Sequence, residues 1–395
     1  MVRNAVFEIE TGRKEFMKRS KIQIAADKNV LFAEEAFSSL GEVKLFEQKD
    51  ITNESVRDFD ALIVRSTTKT DENLLGGTKI KFIGSAVIGA DHIDAAYLKK
   101  AGIAYSSAAG CNSRSVAEYV LCAIYAFCEK KKVSPQDLTL GIIGAGNIGG
   151  LLAEILKKLK IKTVLNDPIL EKSGKSGFSS LDFLAENSDI ISVHVPLTKS
   201  GEYKTQNLLG SGFFSKTKKG ALLIQASRGA VCDENALLEF IEKMQNPVID
   251  VWKDEPDINI GLAKKSMFCT PHIAGHSFDG KINGTAFVYK ACCEYFSKTP
   301  QFDFEREIFS KIPPQTIEYK NSVSEILLKC CPLDFYTQNF RDIFDKNTAQ
   351  ERQKAFKDLR RNYPQRLEFG HFAIKNAPEK IMAELKILGF EEAGR

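Results

Sequence analysis

The sequence contains no apolar run approaching the ~20 residues that a membrane-crossing helix needs, so a membrane-spanning role is not expected. Its first twenty residues are polar and charged and carry no signal-peptide core. With Met17 just before the first strand, residues 1–20 read as an N-terminal extension or an early start rather than a domain. There is no C-x-x-C pair either. The nine cysteines are an odd number in mostly apolar contexts, and the neighbours Cys292–Cys293 and Cys330–Cys331 lack zinc-site spacing. Reduced thiols in a cytoplasmic protein are the expectation. A surplus of charge is missing as well: at a formal net charge of +4, bulk electrostatics point to neither a nucleic-acid nor a membrane partner. What is present is an ordinary globular composition, 43% hydrophobic and 27% charged over 395 residues, enough for two or three domains.

The stretch LGIIGAGNIGG organises the rest. Leu140, Ile142 and Ile143 read as a short buried strand, and Gly144, Gly146 and Gly149 fit G-x-G-x-x-G around Asn147 and Ile148. Leu151 to Lys160 then reads as a helix. Such glycines let the backbone turn sharply, approach a pyrophosphate and pack helix against strand, while the helix start offers unpaired N–H groups to the anion. A second strand, Lys162 to Asn166, ends in Asp167, 18 residues after Gly149 (167 − 149 = 18). An acid there takes the ribose hydroxyls of NAD and repels the 2′-phosphate of NADP. The plainer reading is that Asp167 only starts a turn before Pro168.

Alternation runs along most of the chain. Strands are expected at Lys21 to Ala26, Val43 to Phe46, Ala61 to Val64, Lys81 to Ser85 and Gly102 to Tyr105, with a helix over Leu31 to Leu40; this pattern implies a parallel sheet. Ligands sit at the carboxyl ends of such strands, so Arg65, Ser66 and Lys69 make a plausible anion cradle, against the alternative of a solvated loop. Asn112 to Glu129 is apolar at helical spacing, with Val116, Tyr119, Val120, Ala123, Ile124 and Phe127 on one side. It suits a hinge leading into a second unit, whose further strands are Asp189 to His194, Ala221 to Ala226 and Val248 to Trp252. His194 closes one of them and reads first as a satisfied strand-end histidine.

Three strand-end residues carry chemistry: Arg228 in ASRGAVCDENAL, Glu255 in DVWKDEP and His272 in TPHIAGHS. A guanidinium fork holds a carboxylate in two parallel hydrogen bonds, which suits a 2-hydroxy acid. An imidazole can accept the hydroxyl proton as hydride leaves the same carbon, and a carboxylate beside it fixes its orientation. Singly, each could be a turn cap, a loop charge or a structural histidine. As an ordered set behind a nucleotide-binding pattern they favour catalysis.

These segments, with GIIGAGNIG, resemble the D-isomer-specific 2-hydroxyacid dehydrogenases. Further segments, KFIGSAVIGADHID, AAGCNSRSVAEYV and FKDLRRNYPQRLEF, resemble a branch of that family acting on a small phosphorylated hydroxy acid. The resemblance implies an α/β fold of two doubly wound parallel-sheet domains around a cleft, plus a small C-terminal α/β dimerisation domain. The implied boundaries are 21–111 with 273–298 for the substrate domain, 112–272 for the NAD domain and 299–395 for the segment that makes a homodimer. It implies Arg228, Glu255 and His272 as the catalytic set. NAD contacts would come from Gly144, Gly146, Asn147, Ile148, Gly149, Asp167, Val195, Ala226, Ser227, Asp250 and Gly275, and a substrate contact from Ser66, in agreement with the cradle that Arg65 shares by position. No metal is called for. Two positions depart from the family's pattern: Val87 stands where a small hydroxyl is usual, and His276 where a tyrosine is. Two rival readings remain: a 3-phosphoglycerate dehydrogenase of the same family, and an NAD-sensing co-regulator on the same fold.

Overall fold

The computed structural model describes residues 21–394; the extension expected over residues 1–20 lies outside them. The chain divides into two compact units, each taken by itself below.

The first unit joins the chain up to Asn112 with the later stretch Phe278–Pro313. Its strands are β1 (Ile22–Asp27), β2 (Gly41–Phe46), β3 (Ala61–Val64), β4 (Phe82–Ser85) and β5 (Ala104–Ser107). They form one parallel sheet in the order β2-β1-β3-β4-β5. β3 is ALIV, buried at every residue, as a strand covered on both faces must be. The order reverses between β1 and β3, so the loops after these strands diverge and leave room at their carboxyl ends. Arg65 and Ser66 follow β3 there. Val64 is in register with Ser85 and its carbonyl accepts from the Ala86 N–H at 2.9 Å, which sets the Val87 loop beside the Arg65 loop. One face of the sheet is closed by helix Phe278–Tyr295, whose Val288, Tyr289 and Cys292 pack with Ile24, Phe37 and Phe82. The helix expected over Leu31 to Leu40 is shorter, Ala33–Phe37, because Phe32 enters it from a left-handed backbone conformation.

The second unit comprises Ser113–Ser277 and Pro314–Arg395. Its strands β6 (Thr139–Ile143), β7 (Lys162–Asn166), β8 (Ile190–Val193), β9 (Leu222–Gln225), β10 (Val248–Ile249) and β11 (Phe268–Cys269) form a parallel sheet in the order β11-β10-β9-β8-β6-β7. Here the switch falls between β6 and β8. The glycine loop follows one strand and His194–Val195 the other.

Helix Ser113–Lys131 corrects the one-sided stripe read from its sequence: every residue from Ser115 to Tyr125 is buried. A helix apolar all round needs cover on all sides. Helix Asn147–Lys158 supplies part of it and helix Val323–Cys330 another part. Residues beyond Pro313 are thus packed in the same unit as the nucleotide-binding sheet. They also form a small parallel sheet, β12 (Gln315–Glu318), β13 (Phe372–Lys375) and β14 (Glu391–Glu392), a strand–helix–strand arrangement the sequence reading did not find there. β12 is exposed at three of its four residues and β14 has only two, too little for a period-2 signal. The helices expected over Ser322 to Lys329 and Ala349 to Leu359 are present as Val323–Cys330 and Ala349–Arg361, N-capped by Ser322 and Thr348. All nine cysteines are buried, and none forms a disulfide among the described residues. Among the described residues, no helix is long and apolar enough to cross a membrane.

Candidate active site

The glycine loop is built as its spacing requires. Gly144 has φ 87, and a side chain there would run into the His194 carbonyl and the Val195 side chain, so Val195 lies directly over the turn. A Cβ on Gly149 would sit 1.9 Å from the Gly144 carbonyl oxygen. The helix therefore starts earlier than expected, at Asn147 rather than Leu151: Gly149 is held in its first turn by the close approach to β6. Gly146 is the N-cap, exposed, with no side chain bonding the first-turn N–H groups, and nothing lies within 4 Å of where its Cβ would be. Asn147 is exposed and Ile148 half-buried beside it.

Asp167 starts the turn of the plainer reading and also reaches back to the glycine loop. One carboxylate oxygen caps the short helix Pro168–Lys172 through the Leu170 N–H at 3.0 Å; the other accepts the Ala145 N–H of the glycine loop at 2.9 Å. A carboxylate has about four acceptor positions, so two remain for hydroxyl donors. His194 follows the end of β8 as read but is only half satisfied: its Nε2 is 2.8 Å from the Ser192 hydroxyl, its Nδ1 is buried with no hydrogen-bond partner, and burial pushes its pKa down to about 3, which keeps the ring neutral.

The second cluster is assembled from three loops. The Glu255 carboxylate accepts the Trp252 N–H at 2.7 Å with one oxygen and lies 2.9 Å from His272 Nδ1 with the other. An ionised carboxylate only accepts, so Nδ1 carries the proton and Nε2 is left as the free acceptor. Burial pushes the Glu255 carboxyl up, but the His272 hydrogen bond, the His272 charge and the Trp252 N–H together bring it below the usual carboxylate range. His272 itself has φ 59, the left-handed region that side chains other than glycine avoid. Such a conformation persists only where surroundings impose it, and here Asp250 does so. The Asp250 main-chain carbonyl accepts the His272 N–H at 2.7 Å; its side chain accepts the Thr270 hydroxyl at 2.6 Å and the Ile273 and Ala274 N–H groups at 2.7 and 2.9 Å. Asp250, read from sequence as an NAD contact, is thus buried and committed to the loop carrying His272, Gly275 and His276.

Arg228 comes to this cluster through its neighbour. A Cβ on Gly229 would fall 1.9 Å from the Trp252 carbonyl carbon, so the Arg228 loop rests directly on the backbone that holds Glu255. Gln225, not anticipated from sequence, fastens the loop: its amide donates to the Arg228 carbonyl at 3.2 Å and accepts the Ser227 hydroxyl at 2.8 Å. Ser227 and Ala226 are buried at the end of β9. The Arg228 guanidinium donates to the Ser227 carbonyl at 2.9 Å and is half-buried. A polar residue ending the apolar run LLIQ was the only available signal for Gln225.

The residues proposed for substrate contact in the first unit are partly redistributed. Arg65 is half-buried and Ser66 exposed, but Lys69 pairs with Asp71 at 2.8 Å and points to solvent, 76% exposed. Val87 is half-buried, its carbonyl accepting the Ala108 N–H at 3.2 Å.

Residues 126–274 match the model of the D-isomer specific 2-hydroxyacid dehydrogenase NAD binding domain. That span holds the glycine loop, Arg228, Glu255 and His272. The erythronate-4-phosphate dehydrogenase of Bacteroides fragilis is 39% identical over 358 residues, covering 89% of this chain and 99% of that protein. The chain belongs to the D-isomer-specific 2-hydroxyacid dehydrogenase family. Within it, the chain groups with the erythronate-4-phosphate dehydrogenases. The one from Wigglesworthia glossinidia brevipalpis is also 39% identical, over 93% of this chain and 98% of its own length. Among solved structures, the NAD-bound 3-phosphoglycerate dehydrogenase of Entamoeba histolytica superposes with a TM-score of 0.60 at 26% identity, covering 72% of this chain and 98% of that one.

As a 2-hydroxyacid dehydrogenase of this family the protein uses NAD, and the glycine loop fits that cofactor: an uncapped helix start, an open face at Gly146, and Asp167 for hydroxyl donors. Removing an acceptor that is charged costs roughly 1.5–3 kcal/mol. Asp167→Ala is therefore expected to weaken NAD binding about 10- to 100-fold and to erode the preference over NADP, read by titrating both cofactors against protein fluorescence.

Proposed function

We propose that the protein oxidises 4-phospho-D-erythronate to 2-oxo-3-hydroxy-4-phosphobutanoate in pyridoxal 5′-phosphate biosynthesis, as a cytoplasmic homodimer. What carries this reading is coverage. The 3-phosphoglycerate dehydrogenase structure accounts for 72% of the chain, whereas the Bacteroides fragilis and Wigglesworthia erythronate-4-phosphate dehydrogenases run over 89% and 93% of it.

NAD, when bound, supplies the hydride acceptor. The protein supplies the rest. Arg228 grips the substrate carboxylate with its guanidinium fork. The free Nε2 of His272 takes the proton of the 2-hydroxyl, and Glu255, hydrogen-bonded to Nδ1, offsets the charge the ring then bears. Arg65 and Ser66 take the phosphate end. Val87 donates nothing to the substrate, and His276 stands in the tyrosine's place with a ring that can still donate. Residues 21–111 with 273–298 serve the substrate, 112–272 serve NAD, and 299–395 serve dimerisation. Light scattering is expected to give twice the 44.0 kDa chain mass; a monomer would remove the dimer from the proposal.

The deciding experiment offers purified protein both phosphorylated acids and follows NADH. Turnover of 4-phospho-D-erythronate supports the assignment; turnover of 3-phosphoglycerate alone would sink it. A pH prediction accompanies it. The folded-state pKa of Glu255 is depressed, so its stabilising contribution is present above the unfolded carboxylate pKa of about 4.3 and fades as pH falls through the depressed value. The melting difference between the wild type and Glu255→Gln should hold steady from neutral pH down to about 5, then narrow below about 4.

A further inference from the structure

Arg65 was expected to share an anion with Lys69, a residue four positions on, but Lys69 is spent on Asp71. A different cation lies within electrostatic reach of Arg65. Lys281 lies in helix Phe278–Tyr295 of the same unit, 216 positions further along the chain (281 − 65 = 216). Two contacts of that helix fix where its Lys281 face looks. Gly284 packs against the loop after β4, so close that a Cβ there would fall 2.5 Å from the Ala86 carbonyl oxygen. Thr285 donates its hydroxyl to the Leu31 carbonyl, beyond the end of β1, at 2.8 Å. Residues three and four apart share a helix face, so Lys281 sits one turn before these two contacts, at the carboxyl edge of β1, β3 and β4.

Lys281 is half-buried rather than extended into solvent. Burial, and then the nearby Arg65 guanidinium, hold its ammonium below the usual lysine range. Two cations placed together repel each other, and a group carrying close to two negative charges and several acceptor oxygens relieves that repulsion best. The N-terminal end of the 18-residue helix adds to the same preference.

We infer that Lys281 is a phosphate-binding residue that acts with Arg65, so that the phosphate end of the substrate is held between the loop after β3 and the start of helix Phe278–Tyr295. That the phosphate belongs to a hydroxy acid rests on the proposed function; the anion site itself does not.

Inorganic phosphate is the probe. Titrated calorimetrically into NAD-saturated protein, it should bind at least about tenfold more weakly to Lys281→Met than to wild type and recover most of that loss in Lys281→Arg. With 4-phospho-D-erythronate, Lys281→Met should raise KM about 10- to 100-fold while kcat moves far less. An unchanged NAD dissociation constant shows that the variant is folded. Equal phosphate affinity and equal KM in wild type and Lys281→Met would overturn the inference. If the wild type does not oxidise 4-phospho-D-erythronate and phosphate binding still depends on Lys281, the substrate assignment fails while the anion site stands.

Discussion

His272→Asn is expected to lower kcat by about 10²- to 10⁴-fold, the range removed with a positioned general acid–base group, while NAD binds as before. Asparagine is the informative choice. At φ 59 an alanine would add backbone strain to the loss of the imidazole, whereas asparagine is among the residues that tolerate the left-handed region. The loop should then stay in place, held by Asp250 through the Thr270 hydroxyl and the Ile273 and Ala274 N–H groups. Steady-state NADH formation gives the rate and calorimetry the NAD affinity. A variant keeping more than about a tenth of the wild-type kcat would falsify the proton-transfer role. Weakened NAD binding would instead show that the loop had moved.

Arg366→Met carries the largest expected effect on stability. Glu118, in the middle of helix Ser113–Lys131, is fully buried. It meets Arg366 and Arg114 at 2.8 Å each and the Phe369 N–H at 2.9 Å. The Arg366 side chain is itself only 5% exposed. Removing one partner of a buried ion pair costs up to about 3–5 kcal/mol, tempered here because Glu118 keeps Arg114 and the Phe369 N–H, whereas replacing both with apolar groups of similar volume is far milder. Denaturant melts should therefore show Arg366→Met strongly destabilised and Glu118→Leu/Arg366→Met partly restored. A double variant as unstable as the sum of the two singles would mean that the pair is not coupled.

The cofactor half of the molecule was legible because its signals are local. Gly144, Gly146, Gly149 and Asp167 lie within one strand–helix–strand passage, and at Gly144 and Gly149 the residue type is dictated by backbone geometry at its own position. Arg228, Glu255 and His272 were legible one at a time, as polar residues closing apolar strands. The contacts that hold them were not: Asp250 folding over the His272 loop, Gln225 fastening Arg228, and Gly229 seated on Trp252 all depend on strands meeting side by side, which no spacing encodes. The C-terminal segment was hardest. β14 is two residues long, and the cover that Val323–Cys330 gives to helix Ser113–Lys131 shows up in sequence only as a helix with too few polar positions. Lys69 and Lys281 illustrate the same limit from opposite sides, since the nearer lysine turned away and the distant one arrived.

The interrupted first unit also dictates an order of events during synthesis. Its five strands are complete at Ser107, but the helix that shields one face, Phe278–Tyr295, emerges only after the 165 residues between Asn112 and Phe278 have been made (278 − 112 − 1 = 165). At ribosomal speeds of about 5–20 residues per second that is a delay of roughly 8 to 33 seconds. Through that interval Ile24 and Phe82, fully buried in the finished protein, lack their cover of Val288, Tyr289 and Cys292. The nascent chain thus presents a sticky sheet to the cell's chaperones well before it can hide it.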